Sequence, residues 1–165
     1  MSIPADATID VDALVVGAGP GGSTAAYHLA RHGLDVLMVD KAAFPREKVC
    51  GDGLTPRAVV SLRRLGIDVD DPRFERHEGL RIYSRRVKIE LPWPDLEDFP
   101  PFGLLMTRSE FDEILARNAE KAGARLMERT EALEPIADDG WIRGARIKAV
   151  DGGAEIGRAS CRERV

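Results

Sequence analysis

Residues 11–40 read VDALVVGAGPGGSTAAYHLARHGLDVLMVD, and this stretch decides the fold. Val11 to Val16 is a short, near-continuous apolar run, the pattern of a parallel strand buried on both faces. Gly17, Gly19 and Gly22 follow at once in G-x-G-x-x-G spacing, with Gly21 beside them. Ser23 to Arg31 then reads as a helix, with Ala26, Leu29 and Ala30 inward and Gly33 as its stop. A second apolar strand, Val36 to Val39, ends on Asp40.

Each part has a physical task. The first glycine permits a tight turn, the second lets backbone approach a pyrophosphate, and the third allows helix and strand to pack closely. The helix N-terminus offers unpaired N–H groups to phosphate oxygens. Asp40 stands where a carboxylate accepts hydrogen bonds from both ribose hydroxyls, and an acid there disfavours a 2′-phosphate. Without the glycines Asp40 would read as a solvated strand-end carboxylate. Strand, glycines, helix, strand and acid in register specify a dinucleotide-binding α/β unit.

Composition narrows the classes further. Lys and Arg number 24 against 28 Asp and Glu, for a net charge of −4, and no basic run offers an electrostatic case for nucleic acid. The start, MSIPADATIDVD, lacks the basic and apolar regions of a secretory signal, and no apolar run reaches transmembrane length. Cys50 and Cys161 are too few for a disulfide framework and lack zinc spacing. His28, His32 and His77 are scattered, so no metal site is expected. The expected location is cytoplasmic, with any membrane contact peripheral.

Residues 41–59 read KAAFPREKVCGDGLTPRAV, and here the chain departs from a plain NAD domain. The stretch resembles the FAD-dependent geranylgeranyl reductase family, part of a larger flavoprotein group that includes aromatic hydroxylases. The resemblance extends over nearly all of Asp10 to Val150. FPREKVCGDGLTPRAV is its most specific part, and the cysteine loop is most similar to that of mycobacterial-type menaquinone side-chain reductases. TRSEFDEILARNAEKAGAR, residues 107–125, is similar to the family's second FAD-contacting segment.

The resemblance implies an α/β fold: a Rossmann-like parallel sheet of the glutathione-reductase type with a partial inserted antiparallel sheet. It implies FAD as cofactor and reduction of C=C bonds in prenyl groups, on a prenylated lipid or isoprenoid substrate, with a separate electron donor. Cys50, Gly51 and Gly53 would lie beside the flavin or the FAD phosphates. Arg46 and Arg108 would approach the phosphate and ribose portion, Asp40 would hold the adenosine ribose, and Ala132 would meet the adenine end through backbone. Cys50 would face the flavin or the substrate entrance as a tentative catalytic residue; the alternative is a small apolar filler. Two readings compete with prenyl reduction: a flavin-dependent hydroxylase, and a non-catalytic FAD-binding remnant.

The remaining chain reads more simply. Thr55-Pro56 is an N-cap followed by proline at the first helical position, with Gly66 as the stop. Arg57 reads as a cofactor contact or, preferably, as a solvated helix residue. Leu80 to Tyr83 and Val87 to Leu91 alternate as half-buried antiparallel strands do. The stretch PWPDLEDFPPFG after them reads as a stiff surface loop or as a cover for an apolar substrate channel. Ser109 opens a capping-box-like start, with Phe111, Ile114, Leu115 and Ala119 inward and Gly123 ending the helix. Arg125 to Ile136 and Trp141 to Val150 read as strands around an Asp138-Asp139-Gly140 turn.

The expected domain organisation is a Rossmann-like region over 1–78, substrate-region strands over 79–106, and the second FAD segment over 107–155. Residues 156–165 stand apart. Their back-translation, ATC GGA AGA GCG TCG TGT AGG GAA AGA GTG, resembles a common sequencing-adapter read, so this segment is expected to be non-native. The natural gene is expected to continue past Glu155 into an apolar strand and a second FAD motif.

Overall fold

The computed structural model describes residues 8–150 and the backbone of residues 155–161. In chain order the first elements are β1 (Thr8–Val11), β2 (Ala13–Val16), α1 (Pro20–Arg31), β3 (Val36–Val39), β4 (Gly53–Leu54) and α2 (Pro56–Arg64). Next come β5 (Glu75–His77), β6 (Gly79–Ser84), β7 (Val87–Pro92), β8 (Gly103–Leu105) and α3 (Arg108–Lys121). The last are β9 (Arg125–Met127), β10 (Thr130–Asp138), β11 (Trp141–Ala149) and β12 (Glu155–Cys161). The chain divides into two compact units: residues up to Arg46 with those from Asp112 onward, and Glu47–Phe111. The Cys50 loop and α2 share the second unit with the antiparallel strands.

In the first unit β2, β3 and β9 form a parallel sheet in the order β2-β3-β9. β3 is buried along its whole length, which explains its unbroken apolar sequence. Its alternate residues serve two cores. Val36 and Met38 pack with Ala26, Ala116 and Ala119 on the helical side, while Leu37 and Val39 pack with Val11 and Ile147 on the other. A second sheet runs β1-β12-β11-β10.

The expected single strand over Val11–Val16 is two strands in different sheets. Asp12 makes the break: its N–H donates to the Asp35 carbonyl at 2.9 Å, and its Oδ2 accepts from the Asp35 N–H at 2.8 Å. The chain is thereby fastened to the start of β3 instead of continuing one ladder. Arg125–Ile136 is likewise split, at Arg129, which has a left-handed φ of 50°. β9 then extends the parallel sheet, while β10 pairs antiparallel with β11 across Asp139 and Gly140, both at positive φ. Ile156 to Cys161, in the segment expected to be non-native, lie in β12, paired parallel to β1 and antiparallel to β11. Main-chain groups make such ladders whatever the side chains. Residues 162–165 lie outside the described residues.

In the second unit β4, β8 and β5 form an antiparallel sheet against which α2 packs. Val59, Leu62 and Leu65 are buried, Val60 is half-buried and Arg57 is exposed. β6 and β7 form the expected hairpin, with Ile82 opposite Ile89 and Arg81 opposite Glu90. Leu80, Ile82, Ile89 and Leu91 share one face and are exposed rather than half-buried. α3 begins earlier than Ser109: Thr107 Oγ1 accepts from the Glu110 N–H, and Thr107 Oγ1–H donates to Glu110 Oε2 at 2.7 Å. Thr107 and Glu110 thus close the first turn of α3, while Asp112, the last residue of S-E-F-D, is turned to Arg46.

Among the described residues no helix is long and apolar enough to cross a membrane. No group of His, Cys, Asp and Glu among them is placed to hold a metal ion.

Candidate functional site

The glycine segment folds as a turn from β2 directly into α1. Gly17 has a φ of +93°, a conformation that strains any residue with a β-carbon, and its N–H donates to the Val39 carbonyl at 2.8 Å. α1 starts inside the motif, with Gly19 as N-cap and Pro20 in the first turn, and no side chain caps it. Its first turn therefore keeps N–H groups free for an anion. A β-carbon on Gly22 would run into the Gly17 carbonyl oxygen, whereas one on Gly21 would meet nothing within 4 Å. Ser23 is buried and donates from Oγ to the Ala18 carbonyl at 3.0 Å, closing the turn from beneath.

Asp40 lies at the end of β3 and is buried, 7% exposed, so it is not a solvated strand-end acid. Oδ2 accepts from the Ala18 N–H at 2.8 Å, and Oδ1 accepts from the Ala42 N–H at 2.9 Å. One carboxylate thus ties the glycine turn to the loop after β3. The Asp40 backbone is equally fixed, its N–H donating to Met127 O at 3.0 Å and its carbonyl accepting from Thr130 N–H at 2.8 Å. Each carboxylate oxygen retains a second lone-pair direction for a ligand hydroxyl.

Arg46 reaches the same place. Its Nη2 is 3.7 Å from Asp40 Oδ2 and 3.2 Å from Asp112 Oδ2, and the β-carbon that Gly19 lacks would lie 3.5 Å from it. The guanidinium also sits over the Phe44 ring, 5.3 Å from its centroid. Arg46 Nε is buried and has no hydrogen-bond partner. Asp112 is fully buried on the inner stripe of α3, and sequence reasoning passed over it. The signal was present: an acid in helical register with Leu115, Ala116 and Ala119, all buried. Ala132 stands two residues beyond the Thr130 anchor, packs against the Val11, Leu37, Val39 and Ile147 cluster, and lines a cavity of about 410 Å³ with Leu14, Val16, Leu133 and Ile142.

The remaining expected site residues form a group in the second unit. Cys50 is a free, exposed thiol. Gly51 and Gly53 are exposed as well, and Gly53 pairs with Leu105 at the start of β4. Asp52 ties the loop to the start of α3: its carbonyl accepts from Met106 N–H at 3.1 Å, and its Oδ1 accepts from Arg108 N–H at 3.0 Å. Cys50 and Arg108 are thereby joined through Asp52, a residue the sequence reading left unassigned.

A strand-turn-helix cradle with an uncapped helix start, a buried acid after the second strand and an under-satisfied arginine over the turn is suited to an oxygen-rich dinucleotide. The family profile described as "FAD binding domain" matches residues 10–160. The chain belongs to this FAD-binding family. Its cofactor is FAD, and the residues present fit that group: the Gly17–Gly22 cradle is sterically closed to larger residues where it must be, and Arg46 Nε awaits an acceptor.

Relatives of this FAD-binding domain include a menaquinone reductase of Mycobacterium tuberculosis, 42% identical over 154 residues. That match covers 93% of this chain and 36% of the relative, so the chain spans little more than a third of the relative's length. A geranylgeranyl bacteriochlorophyll reductase-like protein from Thermoplasma acidophilum superposes with a TM-score of 0.78 at 33% identity, over 94% of this chain and 38% of that one. A myxobacterial chondrochloren halogenase, itself FAD-dependent, superposes with a TM-score of 0.79 at 28% identity, over 93% of this chain and 36% of the other.

Proposed function

We propose that this domain belongs to an oxidoreductase that reduces C=C bonds of prenyl groups, with the menaquinone side chain as its substrate within the wider geranylgeranyl class. The observation that carries this reading is the 42% identity to menaquinone reductase along 93% of the chain. FAD, when bound, supplies the hydride for such a reduction. The protein's part is to bind, orient and exclude water. Gly17, Gly19, Gly21 and Gly22 receive the pyrophosphate, Asp40 accepts from the adenosine ribose, and Ala132 meets the adenine end. Arg46 and Arg108 address the phosphate and ribose portion, and Cys50, Gly51 and Gly53 form the loop beside the flavin. A polyprenyl substrate partitions into bilayers, so substrate capture is peripheral to a membrane, and the electrons come from a separate donor.

The test is a chimera in which residues 10–155 of this chain replace the matching segment of the Mycobacterium tuberculosis menaquinone reductase. With reduced FAD under anaerobic conditions, the chimera is expected to yield menaquinone with one saturated isoprene unit, two mass units heavier. The likeness to an FAD-dependent halogenase favours the competing oxygen-dependent class. Products that form only with oxygen present would replace prenyl reduction by that reading.

The place of Cys50 has its own measurement. In a Cys161→Ser background the exposed Cys50 thiol is expected to react with a maleimide in the native protein, and saturating FAD is expected to slow it about tenfold. Equal protection by ADP alone would remove the loop from the flavin end.

A further inference from the structure

Asp112 and Arg46 form a buried ion pair. Asp112 is fully buried, the Arg46 side chain is 16% exposed, and they meet at 3.2 Å. Burying two charges costs as much solvation as the pair regains, so apolar residues of similar size usually serve stability equally well. The guanidinium is also incompletely satisfied, since its Nε–H lacks any acceptor. Arg46 is therefore held by its acids rather than by a full set of its own hydrogen bonds. Where they hold it is specific: Nη2 lies against the Gly19 turn and 3.7 Å from Asp40 Oδ2.

We infer that Asp112 is a positioning residue for the cofactor site, fixing Arg46 over the Gly19 turn so that its guanidinium is presented to FAD. Asp40 alone does not supply this, because its Oδ2 lies 3.7 Å from Nη2, beyond hydrogen-bond reach, and already accepts from the Ala18 N–H. Asp112 offers the closer oxygen and comes from α3, a separate wall of the site. The trio of Asp40, Asp112 and Arg46 carries a net charge of −1, so Arg46 serves as an oriented donor rather than as an excess positive charge. This inference rests on Arg46 being an FAD contact, the role given above.

The experiment is a double-mutant cycle on FAD affinity, read by flavin fluorescence, with thermal unfolding measured on every variant. Arg46→Leu is expected to weaken FAD binding roughly ten- to a hundredfold, the scale of a lost hydrogen bond from a charged group. Asp112→Leu is expected to weaken it to a similar extent, and Arg46→Leu/Asp112→Leu no further than either alone. Asp112→Glu, which keeps the charge, is expected to recover most of the affinity. The double leucine variant is the decisive one, because it removes the Arg46–Asp112 pair as a unit, and its thermal unfolding shows that it is folded. Wild-type FAD affinity in that folded variant overturns the inference. So do multiplicative losses in the double variant, which would mean that Asp112 acts independently of Arg46. An unchanged affinity in Arg46→Leu alone removes the underlying role of Arg46, and the inference falls with it.

Discussion

Gly22→Ala is expected to cost about 3 kcal/mol of stability and to weaken FAD binding on the order of a hundredfold. The added β-carbon would collide with the Gly17 carbonyl oxygen and crowd Val15 Cγ1 at 3.2 Å. A backbone carbonyl cannot rotate away as a side chain can, and Gly17 is already committed to a φ of +93° with its N–H on Val39. Relief requires α1 to move away from β2, which opens both the helical core and the phosphate cradle. Gly21→Ala is the matched control. Its β-carbon enters open space, so the exchange is expected to leave stability unchanged or raise it by up to about 1 kcal/mol, as alanine for glycine does inside helices. Thermal or urea unfolding with a parallel FAD titration separates the effects. If Gly22→Ala matched Gly21→Ala in both, the close-approach account of the third glycine would be wrong.

Asp40→Ala is expected to lower stability by about 2–5 kcal/mol, before any cofactor effect, because two backbone N–H groups lose a charged acceptor. Those of Ala18 and Ala42 both point at a carboxylate 7% exposed, so water does not easily replace it. Arg46 also loses one of its two acids. FAD affinity is expected to fall by a further tenfold or more through the lost ribose hydrogen bonds. Asp40→Asn keeps one acceptor oxygen and is expected to lie between alanine and wild type on the stability scale. Stability unchanged in Asp40→Ala would return the residue to a solvated strand end. A folded variant with unchanged FAD affinity would leave it a purely structural role.

The sequence by itself determined the features that are local. The strand, glycine turn, helix and acid of residues 11–40 are legible because each depends on spacing within a few positions or on stereochemistry unique to glycine. The same holds for Thr55-Pro56, for the β6–β7 hairpin and for the turn at Asp139-Gly140. Even the missed helix start at Thr107 was local: two overlapping tetrapeptides competed, and Glu110 pairs with the Thr107 hydroxyl.

Only the tertiary structure decided what depends on partners distant along the chain. Nothing near Asp12 in sequence announces that it will bond to Asp35 and divide one apolar run between two sheets. Nothing near Arg46 announces Asp112, because an ion pair is selected by where two elements meet and not by spacing. The double duty of Asp40, anchoring Ala18 and Ala42 while facing Arg46, was likewise invisible, since a carboxylate's partners are set by burial. Cys50 shows the same limit from the other side: a thiol among glycines reads equally as filler or as a presented group. Its exposure is a property of the folded chain that no local spacing announces.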